Sequence, residues 1–336
     1  MKQGKQIRLT SAEISQLWSQ YMSDSASVCM LTYFLEKVED AEIKPVIAYS
    51  LKLSQSHVQK ITKILTEEKN KVPHGFKIEE DVDVTAPRLY SDTYVLNYIN
   101  QMARIGLTTY AASLSSTVRA DITDYYIECI SETMRLFKMS KDLLLSKGLY
   151  IRSPYLQNLE EISFVKKQGF LWDIFNDKRP LVAAEITNLF ANLQRNALGV
   201  ATLTGFSQVA QDQDVTLFIR RGIEIGKKHA KLFGEKLEES NLPVPTTWSS
   251  EITNSTAHTF SDKMMMFYTS SLISLSIGYY GTSTSQSPRV DIGVMYNRLS
   301  LEIQLYSEDG ANIMIKNKWL EQPPIAPDRN DIAKNK

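Results

Sequence analysis

The chain has 336 residues, enough for two domains with separate hydrophobic cores. Lys and Arg together number 38, as do Asp and Glu, so no net charge attracts the whole chain to nucleic acid or to an anionic membrane. The N-terminal MKQGKQIRLT is basic but lacks the apolar run of a signal peptide, and we expect a cytoplasmic protein. Cys29 and Cys129 lie in apolar helical patterns, which favours reduced core thiols over a disulfide.

The sequence repeats itself. LTSAEISQLW, beginning at Leu9, returns as LVAAEITNLF at Leu181, an offset of 172 residues. Farther along the offset becomes 170, and Ser91 returns as Ser261. Self-similarity of this length predicts an internal duplication. We expect a first bundle over residues 1–155, an aromatic connecting segment over 156–180, a second bundle over 181–325 and a flexible tail over 326–336.

Each copy is predicted to contain four helices. In the first copy, apolar residues at helical spacing indicate helices over about residues 10–39, 41–70, 91–114 and 117–148. Thr10-x-x-Glu13 is a capping box at the start of the first helix. The loop between the second and third helices has about twenty residues and can run the length of a bundle. One long crossover is the ferritin-like arrangement, so we predict an all-α protein of two tandem ferritin-like four-helix bundles.

The pattern does not favour the di-iron centre of that architecture. Such a centre needs a Glu-x-x-His motif on two helices and carboxylates on the others. No histidine of this chain is preceded by Glu at that spacing, and the third helix of each copy has no acidic residue beyond its first turn. We therefore predict no metal and no cofactor. A degenerate oxygen-activating site built from Asp24, Glu128 and Glu132 is a third, less favoured alternative.

Two histidines occupy equivalent positions in the repeat. His57 and His229 lie on the apolar stripe of the second helix of each copy, one and two turns after small residues that permit close helix approach. One interpretation is a core histidine hydrogen-bonded to a neighbouring group. The other is a ligand-binding or proton-handling group in a bundle pocket.

A second repeated pair lies at the start of the fourth helices. Arg119 and Asp121 in the first copy correspond to Arg289 and Asp291 in the second. An acidic residue in the first turn suits the helix dipole, and the adjacent Arg can pair with it locally. Capping is therefore one interpretation, and ligand binding is the other.

Two apolar stretches need interpretation. The uncharged run of 25 residues that begins at Met264 resembles a membrane span, but the serines and threonines within it favour a buried central helix. Residues 164–180 contain aromatic side chains outside the repeat, and we expect them to wedge between the two bundles rather than remain in water. These side chains include Phe170, Leu171, Trp172, Ile174 and Phe175.

Three separated stretches, GFLWDIFNDKRPL, FSDKMMMFY and NKWLEQPPIAPDR, resemble the domain-of-unknown-function family numbered 3231, found in endospore-forming Bacillus relatives. The resemblance implies a tandem ferritin-like fold and a spore-coat-related role, and it transfers no site residue. We expect a non-catalytic structural or interaction protein of a spore former, with protein partners or as a homo-oligomer, in the mother cell or spore. The alternative is a small-molecule-binding or redox module that uses the His57 and His229 pockets.

Overall fold

Regular structure in the described part of the chain is helical. The structure is a computed structural model that describes residues 7–158, 161–166, 168–172, 179–245 and 248–329. These residues form no β-strand, only isolated bridges such as the antiparallel one between Tyr90 and Ile252. The all-α prediction is confirmed. The helices are α1 (Ser11–Lys37), α2 (Lys44–Glu67), α3 (Ile78–Asp81), α4 (Asp92–Leu114), α5 (Ala120–Ser146), α6 (Gly169–Trp172), α7 (Ala183–Val209), α8 (Gln213–Glu238), α9 (Asp262–Ser285) and α10 (Val290–Lys316).

The duplication is confirmed by two similar helical halves, in which α7 to α10 repeat α1, α2, α4 and α5. The four long helices of the first half begin and end within three residues of the predicted positions. Even the helix ends repeat. Lys69 after α2 and Asn241 after α8 have φ of 58° and 55°, and the following amide donates to the carbonyl of Leu65 or Leu237. This left-handed cap stops both helices at the same point of the repeat. The ferritin-like type of the bundles stays a prediction.

The repeated Ala-Glu-Ile motif has a structural purpose. Thr10 Oγ1 accepts the amide hydrogen of Glu13, and the Glu13 carboxylate accepts from the Thr10 amide, which is the predicted capping box. The other carboxylate oxygen of Glu13 accepts the amides of Val118 and Arg119 at 3.0 and 2.9 Å, at the start of α5. Glu185 in the second half likewise accepts the amide of Arg289 at 2.9 Å. A fully buried glutamate thus joins the first and fourth helices of each half.

The chain divides into two compact units, each with its own core. The first comprises Met1–Val84, Ile99–Leu143 and Leu320–Lys336, and the second comprises Thr85–Tyr98 and Leu144–Trp319. In the first unit, Leu17, Ile61 and Tyr126 belong to one buried cluster. The grouping of Thr85–Tyr98 with the second unit does not follow from the repeat pattern, and the predicted domain bounds stay a prediction.

Segment Thr85–Tyr98 is anchored in the second unit by tyrosines. The hydroxyl of Tyr90 donates to the carbonyl of Thr202 at 2.7 Å, and the hydroxyl of Tyr94 bonds the Thr202 side chain at 2.7 Å. The two tyrosine rings stack with their centroids 4.2 Å apart. Hydrogen bonds made by buried tyrosines fix the position of this segment, which includes the start of α4, because an unpaired hydroxyl would be costly there.

The two apolar stretches have different outcomes. The stretch beginning at Met264 forms α9, whose first methionines are completely buried, and within the described ranges no helix has the length and apolar composition for crossing a membrane. In the connecting segment, Ile174, Phe175 and the side chain of Trp172 lie outside the described residues. Phe164 is 82% exposed, whereas Arg179 stacks on the Phe170 ring at 4.1 Å. Wedging of this segment between the bundles stays a prediction.

Candidate functional site

The first unit contains a buried polar centre around His57. Nδ1 of His57 lies 3.1 Å from Oδ2 of Asp24 on α1, and Nε2 lies 3.3 Å from Oε2 of Glu132 on α5. His57 is 2% exposed and Asp24 is 6% exposed, whereas Glu132 is partly open to solvent. The helical stripe of α2 directs the imidazole inward, where three helices each contribute one ionisable group.

Polar and aromatic side chains enclose this centre. Gln20 Nε2 donates to Asp24 Oδ2 at 3.2 Å and lies 3.8 Å from the sulfur of Cys129. The rings of Tyr110 and Tyr125 meet the imidazole edge-on, with centroids 5.8 and 6.1 Å away. Within the described residues, Oε1 of Gln20 and the hydroxyl of Tyr125 are buried without a hydrogen-bond partner. Two buried polar atoms beside the histidine therefore have unused bonding capacity.

His57 is an imidazolium at neutral pH. Burial alone lowers the pKa of an imidazole, but the charge and hydrogen bond of Asp24, together with the bond to Glu132, raise the pKa of His57 well above its ordinary value. The hydrogen bond from His57 in turn lowers the pKa of Glu132, despite partial burial. In the imidazolium, each ring nitrogen donates a proton to a carboxylate oxygen, Nδ1 to Asp24 and Nε2 to Glu132.

The second unit has an equivalent centre around His229 on α8. Nδ1 of His229 lies 3.0 Å from the hydroxyl of Tyr280 on α9, and Nε2 lies 3.1 Å from Oε2 of Glu302 on α10. Nδ2 of Asn196 on α7 donates to the same tyrosine hydroxyl at 2.9 Å. His229 is 1% exposed, and Lys228 pairs with Glu302 at 2.7 Å. Each of the four helices contributes a polar group to this centre.

His229 carries no charge at neutral pH. Burial lowers the pKa of His229, and the opposing hydrogen bond and charge of Glu302 do not offset it. The pKa of Glu302 is also lowered, because Lys228 and His229 outweigh its burial. An ionised Glu302 can only accept, so Nε2 of His229 donates to it. Nδ1 then has a lone pair that accepts the hydroxyl proton of Tyr280.

The two centres differ in one acidic residue. The repeat aligns His57 with His229 and Glu132 with Glu302, and it aligns Asp24 with Asn196. An amide in place of the carboxylate removes the negative charge that makes His57 cationic. The duplicated histidine is therefore charged in the first unit and neutral in the second.

The paired arginines are structural anchors within their own units. Arg119 is 4% exposed and binds both oxygens of Asp121, at 3.0 and 2.6 Å, while a third nitrogen binds Glu68 at 2.6 Å. Arg289 repeats the two-bond contact with Asp291 at 3.0 and 2.8 Å. The hydrogen bond from Arg119 lowers the pKa of Asp121. The geometry matches the predicted local pairing, and a ligand-binding role for these residues stays a prediction.

The sequence-predicted acidic set does not assemble as a metal site. Asp24 and Glu132 both contact His57, but Glu128 is half-exposed and pairs with Lys60 at 2.7 Å. Across the described ranges, no group of three or more His, Cys, Asp or Glu side chains has an arrangement that could hold a metal ion.

Sequence reasoning missed Tyr280, which supplies the hydrogen-bond donor to His229. Its counterpart in the first copy, Tyr110, lies 170 residues earlier. A tyrosine at the same position of both copies is the sequence feature that could have identified it. A tyrosine on an apolar helix cannot be distinguished by sequence pattern from a core residue.

The chain matches a family model and shares a likeness with a solved structure. The family model described as "Protein of unknown function (DUF3231)" matches residues 1–162 and 169–332. A solved structure from Bacillus halodurans, named a "putative spore coat protein", is 15% identical, covers 46% of this chain and 99% of its own, and has a TM-score of 0.41. No curated protein matches the chain.

Proposed function

The chain belongs to the DUF3231 family, and we propose that it is a non-catalytic structural or interaction protein of a spore-forming bacterium, with a place in the spore coat. The observation that carries the non-catalytic part is the closure of both buried histidine centres. In each centre, both ring nitrogens bond to side chains of the same unit. The spore setting is proposed from the family resemblance of the three sequence stretches.

In the first centre, closure leaves His57 without a lone pair. An imidazolium held between Asp24 and Glu132 donates from both nitrogens, so it can neither coordinate a metal nor accept a proton from a substrate. If His57 lost a proton, one of the two carboxylates would lose its hydrogen-bond donor in a buried site. The ion pair between α1 and α2 is best explained as a device that fixes the relative position of these helices.

In the second centre, closure occupies the lone pair of a neutral imidazole. Tyr280 donates to Nδ1 of His229, and Asn196 holds the tyrosine hydroxyl in place. A substrate or metal would have to displace a buried hydroxyl that has a second bonding partner. The desolvated hydrogen bonds would then be lost, at about 1–3 kcal/mol for each group left unpaired.

The interaction part of the proposal is supported by the surface of α10. Val294, Leu301 and Leu305 are each more than 60% exposed on this helix. Exposed apolar side chains that recur along one helix are typical of a surface that contacts another protein.

The proposed function is tested by replacing the first centre with apolar residues. The double variant Asp24→Leu with His57→Met removes a buried ion pair from α1 and α2, a change that often preserves stability when volume is retained. It should fold and, as a tagged chromosomal copy in a spore-forming host, should fractionate with the spore coat as the unmodified chain does. The matched control is His57→Met alone, which leaves the Asp24 carboxylate buried without its cationic partner and should reduce the melting temperature.

Two outcomes contradict the proposal. One is a double variant that folds with unchanged stability but loses its place in the spore, because the polar centre would then have a chemical role. The other is an unmodified chain that does not associate with spores at any stage.

A second candidate function is a small-molecule-binding module in the first unit only. The favouring observation is the pair of buried, unpartnered atoms, Gln20 Oε1 and the Tyr125 hydroxyl, beside a buried cation. A small polar molecule or a water could satisfy both. Crystallography at a resolution that shows ordered water distinguishes these cases: organic density bonded to both atoms supports this candidate, and a single water refutes it.

A further inference from the structure

Helix α10 has an apolar stripe on its solvent side. Val294, Leu301 and Leu305 are 61%, 62% and 66% exposed, and their spacing of seven and four residues places them on one face of the helix. We call these three side chains the α10 stripe. Leu299, on the opposite face, is completely buried. Helix α10 therefore already has an apolar face in the core, and the stripe is a second apolar face on the solvent side.

The equivalent helix of the first half shows that the fold does not need this stripe. At the offset of 170 residues, the stripe positions correspond to Asp124, Ser131 and Arg135 of α5, and all three are exposed. The same helix in the same kind of bundle is therefore stable with polar side chains there. Three apolar residues on one exposed face of α10, at positions that are polar in α5, indicate a contact made by this face of α10. Helix α5 has exposed apolar side chains at other positions, Ile127 and Met134.

Charges flank the α10 stripe in a self-complementary order. Arg298 lies five residues before the midpoint between Leu301 and Leu305, and Glu308 and Asp309 lie five and six residues after it. All three charged residues are exposed, and Asp309 also pairs with Arg221 of α8 in its own chain, which leaves Glu308 as the acidic residue available to a second copy. In an antiparallel pair of α10 helices centred on this midpoint, Arg298 of each copy lies opposite the acidic pair of the other. A parallel pair would place Arg298 against Arg298.

We propose that two copies of this chain associate through α10, in an antiparallel two-fold contact with Leu301 of one copy against Leu305 of the other. The inference rests on the proposed interaction role and names its partner. The outward face of one helix about 40 Å long falls at the small end of specific interfaces, so the dimer is weak and depends on concentration. The flanking charges select the antiparallel orientation, because like charges in the parallel one would repel.

The first experiment gives α10 the polar residues of α5. Sedimentation equilibrium of the full chain over a range of concentrations should show a monomer–dimer equilibrium, and native mass spectrometry should detect the dimer. The variant Leu301→Ser with Leu305→Arg carries the α5 residues and should weaken dimerisation at least about tenfold, equivalent to about 1.4 kcal/mol. The matched control is Ile127→Asn, which removes a side chain that is 52% exposed on α5 and installs the residue found at the α10 position.

A second experiment tests the orientation. Arg298→Glu should weaken the dimer, because each copy then presents a third acidic group to Glu308 and Asp309 of the other. Adding Glu308→Lys to Arg298→Glu should strengthen the dimer again relative to Arg298→Glu alone, and Asp309 is left in place because it pairs with Arg221 of its own chain. Circular dichroism of each variant verifies that the helices are retained.

Specific results overturn the inference. The first is a chain that stays monomeric at every concentration. The second is a dimer that Ile127→Asn weakens and the α10 variant does not. The third is a dimer that Arg298→Glu alone strengthens. A monomeric chain that still fractionates with spores would refute the dimer and leave the proposed function standing. Dimerisation without any spore association would support the dimer and refute the proposed function.

Discussion

Replacing Asp24 by Asn tests whether one carboxylate sets the charge of the buried histidine. The substitution gives the first centre the residue that the second centre already has at this position, Asn196. The side chain keeps its size, and the amide can still bond to His57. We expect the pKa of His57 to fall sharply, because the largest stabilising interaction of the imidazolium is lost while its burial is unchanged.

The expected size of the effect follows from the geometry. The hydrogen-bonded atoms of Asp24 and His57 are 3.1 Å apart, which places the charge centres at about 4 Å. Two unit charges at that distance attract by about 4 kcal/mol at an effective dielectric constant of about 20. At 1.36 kcal/mol for each pH unit, the pKa of His57 should fall by about 3.

The assay is nuclear magnetic resonance of the imidazole nitrogens in protein labelled at histidine. In the unmodified chain, His57 should remain protonated from about pH 5 to pH 10, whereas the ring of Asp24→Asn should titrate within that range. The reciprocal variant Asn196→Asp is the matched control, and it should raise the pKa of His229. A ring of His57 that titrates near its ordinary value in the unmodified chain, or that is unaffected by Asp24→Asn, would refute the argument.

Two further predictions concern stability. Burial raises the pKa of Glu13, but the backbone amides that donate to its carboxylate lower that pKa to about 2. The ionised carboxylate should therefore add roughly 3 kcal/mol to the free energy of unfolding. This contribution is fully present above about pH 4.5 and is lost as the pH falls towards 2. Urea unfolding of Glu13→Gln at pH 7 should show most of that loss, and a variant as stable as the parent would contradict the role assigned to the carboxylate. Gly222→Ala should destabilise by about 1–3 kcal/mol, because a Cβ would collide with the hydroxyl of Tyr306. The control Gly278→Ala meets no atom within 4 Å and should stabilise by up to about 1 kcal/mol through helix propensity, so equal effects at the two glycines would refute the packing argument.

Local and periodic features of the fold were predictable from the sequence. The capping box at Thr10 and the helix bounds depend on neighbouring residues, and the repeat itself predicts the duplication. His57 and His229 were identified as buried positions because their helical stripes are apolar. These features depend on spacing along one helix, which is visible in the printed sequence.

Partners across helices were not predictable in the same way. An acidic residue such as Asp24 on the first helix also fits a metal ligand, and only the rotation of α1 in the structure turns it towards His57. Tyr280 gave no polar signal on a helix without charges. The docking of Tyr90 on Thr202 joins residues more than a hundred positions apart through a loop, and no local pattern encodes such a contact.

The central claim is that the buried histidine centres are closed by the protein itself and carry no chemistry. Native mass spectrometry with elemental analysis, on protein purified from its own spore-forming host, tests this claim most directly. We expect the mass of the polypeptide alone, as monomer and dimer, with far less than one metal ion for each chain. A stoichiometric metal, or a bound molecule released on denaturation and absent from Asp24→Leu with His57→Met, would contradict it.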